Sequence, residues 1–314
     1  MSASTTPAAG HWLLAPNSLL LISGTLIGLN FPLGKLAADA GVSPLIWAGL
    51  ISFGVIVMLL PVQLASRGLA LPSAQVLRYT MVSATISFVA PNLLLFTVIP
   101  QVGAGYTGLM FALSPVFTLL LATMLGMRTP GRLGLVGIAI GLLGATLVSL
   151  SRGAELEGPS LNWLLAAAAI PVALAVGNVY RSRYWPVGTP PNTLAFWGHL
   201  FAGSLFLLMV LVSRGSLPIE EIKPVSGIVV VQMLISGLNF PFFYRLQRDG
   251  GPVLLSQIGY VAAAVSLLAA TVFLGERYSP ITWLGAGVIA MGILATILAQ
   301  SRDKAAAARV ERAQ

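Results

Sequence analysis

The sequence predicts an all-α integral membrane protein, with about ten transmembrane helices forming two inverted five-helix repeats around a central cavity. Three observations predict it. Of 314 residues, 57 % are hydrophobic and 8 % charged, and the mean hydropathy is +0.91, whereas a soluble domain carries about a quarter charged residues. The chain falls into long charge-free runs punctuated by Gly, Pro, Arg and Glu clusters. The two halves also align on one another at an offset of about 150 residues, the mark of an internal repeat.

Composition excludes several classes at once. The net charge of +8 would point to nucleic acid in a soluble protein, but in a membrane protein Lys and Arg set orientation, so no nucleic-acid partner is expected. The absence of cysteine removes disulfides, thiolate nucleophiles and cysteine-ligated metals. No Walker loop, no HExxH and no Cys/His cluster occurs, so neither ATP hydrolysis nor metalloprotease chemistry has residues to run on. No catalytic residue, metal site or cofactor is expected. Residues 1–10 contain no Lys or Arg before the first apolar stretch, which predicts a retained anchor and not a cleaved signal peptide.

The runs place spans at residues 16–38, 44–66, 76–99, 102–127 and 131–151, then 160–183, 191–213, 225–246, 252–275 and 279–300. Crossing about 30 Å of hydrocarbon takes about 20 apolar helical residues, and barrel strands would instead alternate over about ten. This divides the chain into an N-terminal tail (1–15), a first repeat (16–151), a linker (152–159), a second repeat (160–300) and a C-terminal tail (301–314). Alternate loops put Arg67, Arg78, Arg128, Arg132, Arg181, Arg183, Arg245, Arg248, Arg302, Lys304, Arg309 and Arg312 on one side, against Lys35, Arg152, Arg214, Lys223 and Arg277 on the other. The excess of basic residues assigns the first side, with both termini, to the cytoplasm and the 152–159 linker to the periplasm. The tail reads as an extension on the anionic leaflet, with membrane lipid as its partner.

The repeat is carried by Gly126-Met127-Arg128 against Gly275-Glu276-Arg277, by Leu133-Gly134 against Leu284-Gly285, and by Ser151-Arg152 against Ser301-Arg302. An odd number of spans per unit makes the second copy enter from the opposite face, as in many transporters.

Candidate site residues follow from breaks and polar stripes. Proline removes a helix hydrogen bond, and the freed carbonyl survives in a membrane only beside a partner or a wet cavity. Pro32, Pro91, Pro115, Pro171 and Pro241 are therefore the expected hinges. Glycine-rich spans 5 and 10 are expected to be packed closely through their glycines. The pentapeptide Gly-Leu-Asn-Phe-Pro occurs at residues 28–32 and again at 237–241, placing Asn30 and Asn239 each beside a break. Gln232, Ser236, Asn239 and Phe243 share one helical stripe, and Thr85, Phe88, Asn92 and Phe96 share another. Amides and rings of this kind suit a zwitterionic or aromatic metabolite, or they serve interhelical hydrogen bonds. Repeat equivalence adds Gln257 and Tyr260 in span 9 to Tyr106 and Met110 in span 4. Asn178 is a candidate for the inner gate. Trp163 is either a cavity lip or part of the interfacial aromatic belt.

All nine acidic residues fall in loops, the tail or span ends, which disfavours exchange of a proton for a cation at a central carboxylate. Lys35 and His199 are the ionisable groups expected inside. Lys35 either attracts a substrate carboxylate or snorkels to the surface. His199 is either a neutral hydrogen-bonded ring or a proton relay.

The segments Pro100-Gln101-Val102-Gly103-Ala104-Gly105 leading to Ser114-Pro115, and Ser256-Gln257-Ile258-Gly259-Tyr260 leading to Phe273-Leu274-Gly275-Glu276-Arg277, resemble the drug/metabolite transporter superfamily in its ten-helix EamA-type branch. The resemblance covers nearly the whole chain. The first half departs from it, with Met127 where the family has an acid. It implies a bacterial inner-membrane secondary transporter working by alternating access, exporting amino acids, aromatic and other neutral ones first. Facilitated movement is expected over tight proton coupling, and a monomer or weak homodimer over larger assemblies. The alternatives are a carrier of other small metabolites such as sugar derivatives, or a non-transporting scaffold.

Overall fold

The computed structural model describes residues 15–66, 69, 71–127, 132–153 and 159–313. Every regular element among them is helical. α1 (Pro16–Asp39) and α2 (Pro44–Ala65) both begin on a proline, whose missing N–H has no partner to lose at a helix start. Ser43 caps α2 by accepting the Ile46 N–H, as Ser73 accepts that of Val76 at the start of α3 (Ala74–Ala84).

The span expected at 76–99 is one helix with a defect: α3 passes through a π turn at Thr85–Val89 into α4 (Ala90–Val102). Pro91 explains the defect. It cannot donate to the carbonyl of Ser87, four residues back, and its ring crowds that group. The widened turn, in which the Ala90 N–H reaches the Thr85 carbonyl, absorbs both problems.

The next expected span is broken into α5 (Ala104–Phe111) and α6 (Ser114–Met124), with Pro115 just past the break. α7 (Arg132–Gly153), α8 (Leu161–Arg183) and α9 (Pro191–Arg214) follow, and after the one-turn α10 (Ile219–Ile222) comes α11 (Ser226–Ser256). Gly251, at φ 72°, turns the backbone inside α11 where the sequence predicted a loop. α12 (Ile258–Phe273) and α13 (Pro280–Ala313) complete the chain.

Seven of the described helical stretches are long and apolar enough to cross a membrane, and Arg132–Val148, Ile258–Phe273 and Pro280–Gly292 are shorter apolar ones. The expected N-terminal tail and the 152–159 linker lie largely outside the described residues. α13 runs on as helix through the expected tail to Ala313.

Of the five expected hinges, Pro91 and Pro115 coincide with irregular backbone. Pro32, Pro171 and Pro241 lie within continuous helices. The other interruptions are at glycines of positive φ, Gly103 before α5 (φ 90°) and Gly251 in α11 (φ 72°), and neither was expected from the sequence to be a hinge.

Helices meet where glycines let backbones touch. α2 crosses α11 at Gly54 and Gly237, and α1 meets α12 at Gly24 and Gly28, facing Val261 and Val265. α7 lies along α13, with Gly144 against the Ile289 amide and Gly292 against that of Gly141. This is the close packing expected of the two glycine-rich spans. α4 and α6 rest on α8, and α5 on α12.

One carboxylate ties the α12–α13 connection to the start of α5. Glu276 accepts the Ala104 N–H at 2.9 Å, the Gly105 N–H at 3.3 Å and the Tyr278 hydroxyl. The open N-terminal amides of α5 and its dipole both favour an anion there. Glu276→Ala is expected to cost about 1–2 kcal/mol of stability, as loss of an N-cap does, and to lower the melting temperature in detergent, with Glu276→Gln recovering part of it. Equal melting of Glu276→Ala and the parent would show that this cap contributes nothing.

Candidate functional site

Two adjoining cavities lie between the helices. The first, about 40 Å³, is lined by Ser87, Ser114, Asn178, Arg181, Phe243 and Ser256 among others. The second, about 70 Å³, is lined by Asn30, Phe31, Phe88, Asn92, Phe96, Phe111, Phe240 and Phe243 among others. Ile27, Ser87, Phe111, Leu174 and Phe243 line both, so the two form one path through helices of both halves. Pockets for drug-sized ligands occupy about 300–1,000 Å³. A ligand of amino-acid size therefore needs these walls to part.

The π turn before Pro91 supplies two of the walls. It delivers Ser87 to both cavities and Phe88 to the second, which is the use such bulges often serve. On α8, Leu174, Asn178 and Arg181 recur at helical spacing along one face and all line the first cavity.

Arg181 is 2 % exposed. Its Nε donates to Gln247 Oε1 at 2.9 Å and its Nη2 to Asn178 Oδ1 at 2.7 Å. Gln247 is held in turn by donating to the Asn178 carbonyl at 3.1 Å and to Ser182 Oγ, while the Asn178 amide reaches Ser114 and Thr118. The guanidinium carbon stands 5.4 Å from the Phe88 ring centroid and 5.0 Å from that of Phe243, within cation–π range. Tyr79 donates its hydroxyl to the Arg181 carbonyl at 3.2 Å.

Counting charges along the chain put Arg181 on the cytoplasmic surface; the structure corrects this. The last turns of α8 are covered by α3 and α11, so a residue two places from the helix end is enclosed. Lys35, left between a substrate role and the surface, pairs with Asp39 one turn along α1 and lines neither cavity.

Asn30, Phe88, Asn92 and Phe243 come together at the cavities. Gln232 and Ser236 adjoin them: Gln232 Nε2 donates to Asn30 Oδ1 and to Ser236 Oγ, both at 2.8 Å. Asn239 is fully buried, and neither of its amide atoms has a hydrogen-bond partner among the described residues.

His199 is also fully buried. Its Nδ1 lies 3.2 Å from Ser52 Oγ and its ring packs 4.4 Å from Phe88 and 4.0 Å from Phe240. It thus supports the cavity wall from behind. Tyr106, Met110 and Gln257 are buried in the helix packing, and Tyr260 and Trp163 are partly buried against it; none of these five lines either cavity.

Sequence reasoning missed Arg181, Gln247, Ser87 and Ser114. The signal available for Arg181 was its position three residues after Asn178, on a face already singled out.

Apolar membrane-length helices enclosing a path of amides, hydroxyls and aromatic rings define a multi-pass membrane transporter of small molecules. The chain belongs to the EamA-like transporter family, which it matches twice, over residues 15–150 and 161–298. The family, with the relatives below, makes it a multi-pass inner-membrane transporter. It is 28 % identical over 260 residues to the uncharacterized inner membrane transporter YedA of Escherichia coli (strain K12), covering 81 % of this chain and 82 % of that one. It is 27 % identical over 210 residues to a probable terminal-alkyne amino-acid exporter of Streptantibioticus cattleyicolor, covering 64 % and 66 %. A solved crystal structure that is 22 % identical shares the fold with a TM-score of 0.66, over 90 % of this chain and 97 % of that one.

Proposed function

We propose that the protein exports amino acids, aromatic and other neutral ones first, by alternating access between two inverted five-helix repeats. The observation that carries this reading is the path itself, where Asn30 and Asn92 stand among six phenylalanines lining the second cavity. Amides pair with the polar end of a zwitterion, and rings with its side chain. The exporter among the relatives supports the substrate class.

The ten-span inverted arrangement draws support from the way helices pair. Exchanging each span of the first half for its counterpart in the second turns the α1–α12 contact into α8–α6, α1–α11 into α8–α4, and α2–α11 into α9–α3, and all of these contacts occur. α2–α9, α5–α12 and α7–α13 map onto themselves, as pairs on a two-fold axis do. The excess of basic residues on one side supports cytoplasmic termini. In this arrangement the tails and linker carry no transport chemistry, and the irregular backbone at Pro91, Gly103, Pro115 and Gly251 supplies the bending.

No acidic side chain among the described residues lines either cavity, which supports facilitated movement. Reconstituted in liposomes, the protein is expected to equilibrate labelled phenylalanine or leucine with no imposed pH gradient. Strict dependence on such a gradient would contradict the uncoupled mechanism, and stabilisation only by phosphorylated compounds would overturn the substrate class.

A further inference from the structure

Arg181 is a buried cation for which no acidic partner exists among the described residues. Enclosing a charge is costly unless it is paired, so a position like this is held for a reason. We propose that Arg181 is the anchor for the carboxylate of the transported compound, with the acid end in the first cavity and the side chain in the aromatic one. This deepens the amino-acid reading above and rests on it.

Four features carry the inference. Gln247 and Asn178 bind Nε and Nη2, so the planar fork is held in one orientation and the remaining N–H donors of the guanidinium can meet a second planar group. Ser87 lines both cavities, and its buried Oγ has no hydrogen-bond partner among the described residues. Its hydroxyl is thus an uncommitted donor on the residue at the junction beside Arg181.

Charge decides the type of anion. Among the described residues Arg181 is the one cation lining either cavity, while Lys35 is paired with Asp39 and Arg245 and Arg248 reach Asp249, an arrangement that suits a monoanion better than a phosphate ester. Finally, Phe88 and Phe243, whose rings flank the guanidinium, also line the second cavity. An occupant whose carboxylate reaches Arg181 would therefore lay its side chain along the same two rings.

The test uses the full-length protein in detergent and in liposomes, with matched ligands differing only at the acid: phenylalanine and phenylalaninamide, leucine and leucinamide, and 3-phenylpropionate, which has the acid but no amine. Thermal stabilisation gives affinity and competition against labelled phenylalanine gives transport. Each amide is expected to bind the parent protein about tenfold or more weakly than its acid, the scale of a charge-assisted hydrogen bond. Arg181→Gln is expected to erase that difference, and Arg181→Lys to retain part of it.

Equal binding of acid and amide by the parent protein overturns the anchor and leaves the amino-acid reading intact, and this comparison stands even where a variant fails to fold. Binding of 3-phenylpropionate but no amino acid, lost in Arg181→Gln, keeps the anchor and overturns the amino-acid reading. A protein stabilised by none of these carboxylates overturns both.

Discussion

Gly54→Leu is expected to prevent the helices from assembling. A Cβ at residue 54 would stand 2.4 Å from the Met233 carbonyl oxygen and 2.6 Å from the Met233 Cα, and backbone atoms of a helix cannot turn aside as a side-chain tip can. The crossing is reciprocal, because a Cβ at Gly237 would meet the Gly54 carbonyl at 2.8 Å and Met58 Cβ at 2.7 Å. α2 and α11 belong to different halves and both border the second cavity, through Ile51 and through Phe240. Separating them therefore opens the core and the candidate site together. Overpacking of ordinary cores costs about 1–3 kcal/mol, and a backbone-to-backbone clash exceeds what side-chain shifts relieve. Fluorescence-detected size exclusion should show aggregated or missing protein for Gly54→Leu and a milder loss for Gly54→Ala. A monodisperse Gly54→Leu protein with the parent's melting temperature would show that this crossing has slack.

Asn239→Leu is expected to move stability and transport in opposite directions. The Asn239 side chain is fully buried, yet both amide atoms lack a hydrogen-bond partner among the described residues. An unpaired buried polar group costs about 1–3 kcal/mol, so a leucine of similar size should raise the melting temperature. The residue shares a face of α11 with Gln232, Ser236 and Phe243, which lead into the cavity through Asn30. If that amide finds its partner in the substrate or in another state of the transport cycle, losing it should reduce flux by about tenfold, equivalent to one such bond. A more stable protein with unchanged flux would assign Asn239 no part in transport.

How legible these sites were in the sequence depended on the range of the forces involved. Asn30, Phe88, Asn92 and Phe243 could be found because polar residues inside apolar runs turn from lipid, and the rings recur at helical spacing on stripes that carry such residues or beside them. The two-fold Gly-Leu-Asn-Phe-Pro pentapeptide pointed to helices that do meet, since Asn30 and Gln232 are bonded across α1 and α11. Lys35 stayed open between a substrate role and the surface, and its pairing with Asp39 one turn along α1 is local to the helix. Arg181 misled: near the end of its run it reads as a surface charge, and only the covering helices α3 and α11 enclose it. The π turn at Thr85–Val89 follows from Pro91, but its consequence, Ser87 and Phe88 aimed into the path, is a tertiary fact.

The sequence by itself determined that this is a helical membrane protein with an internal repeat and glycine-rich contact helices. Those properties follow from transfer of side chains into hydrocarbon and from local backbone geometry, both of which act residue by residue along the chain. The tertiary structure alone decided which charge is buried, which glycines carry the crossings and which polar atoms are left unpaired. Burial and pairing are properties of neighbours brought from distant parts of the chain, so the same arginine reads as a surface group in one dimension and as the centre of a candidate binding site in three.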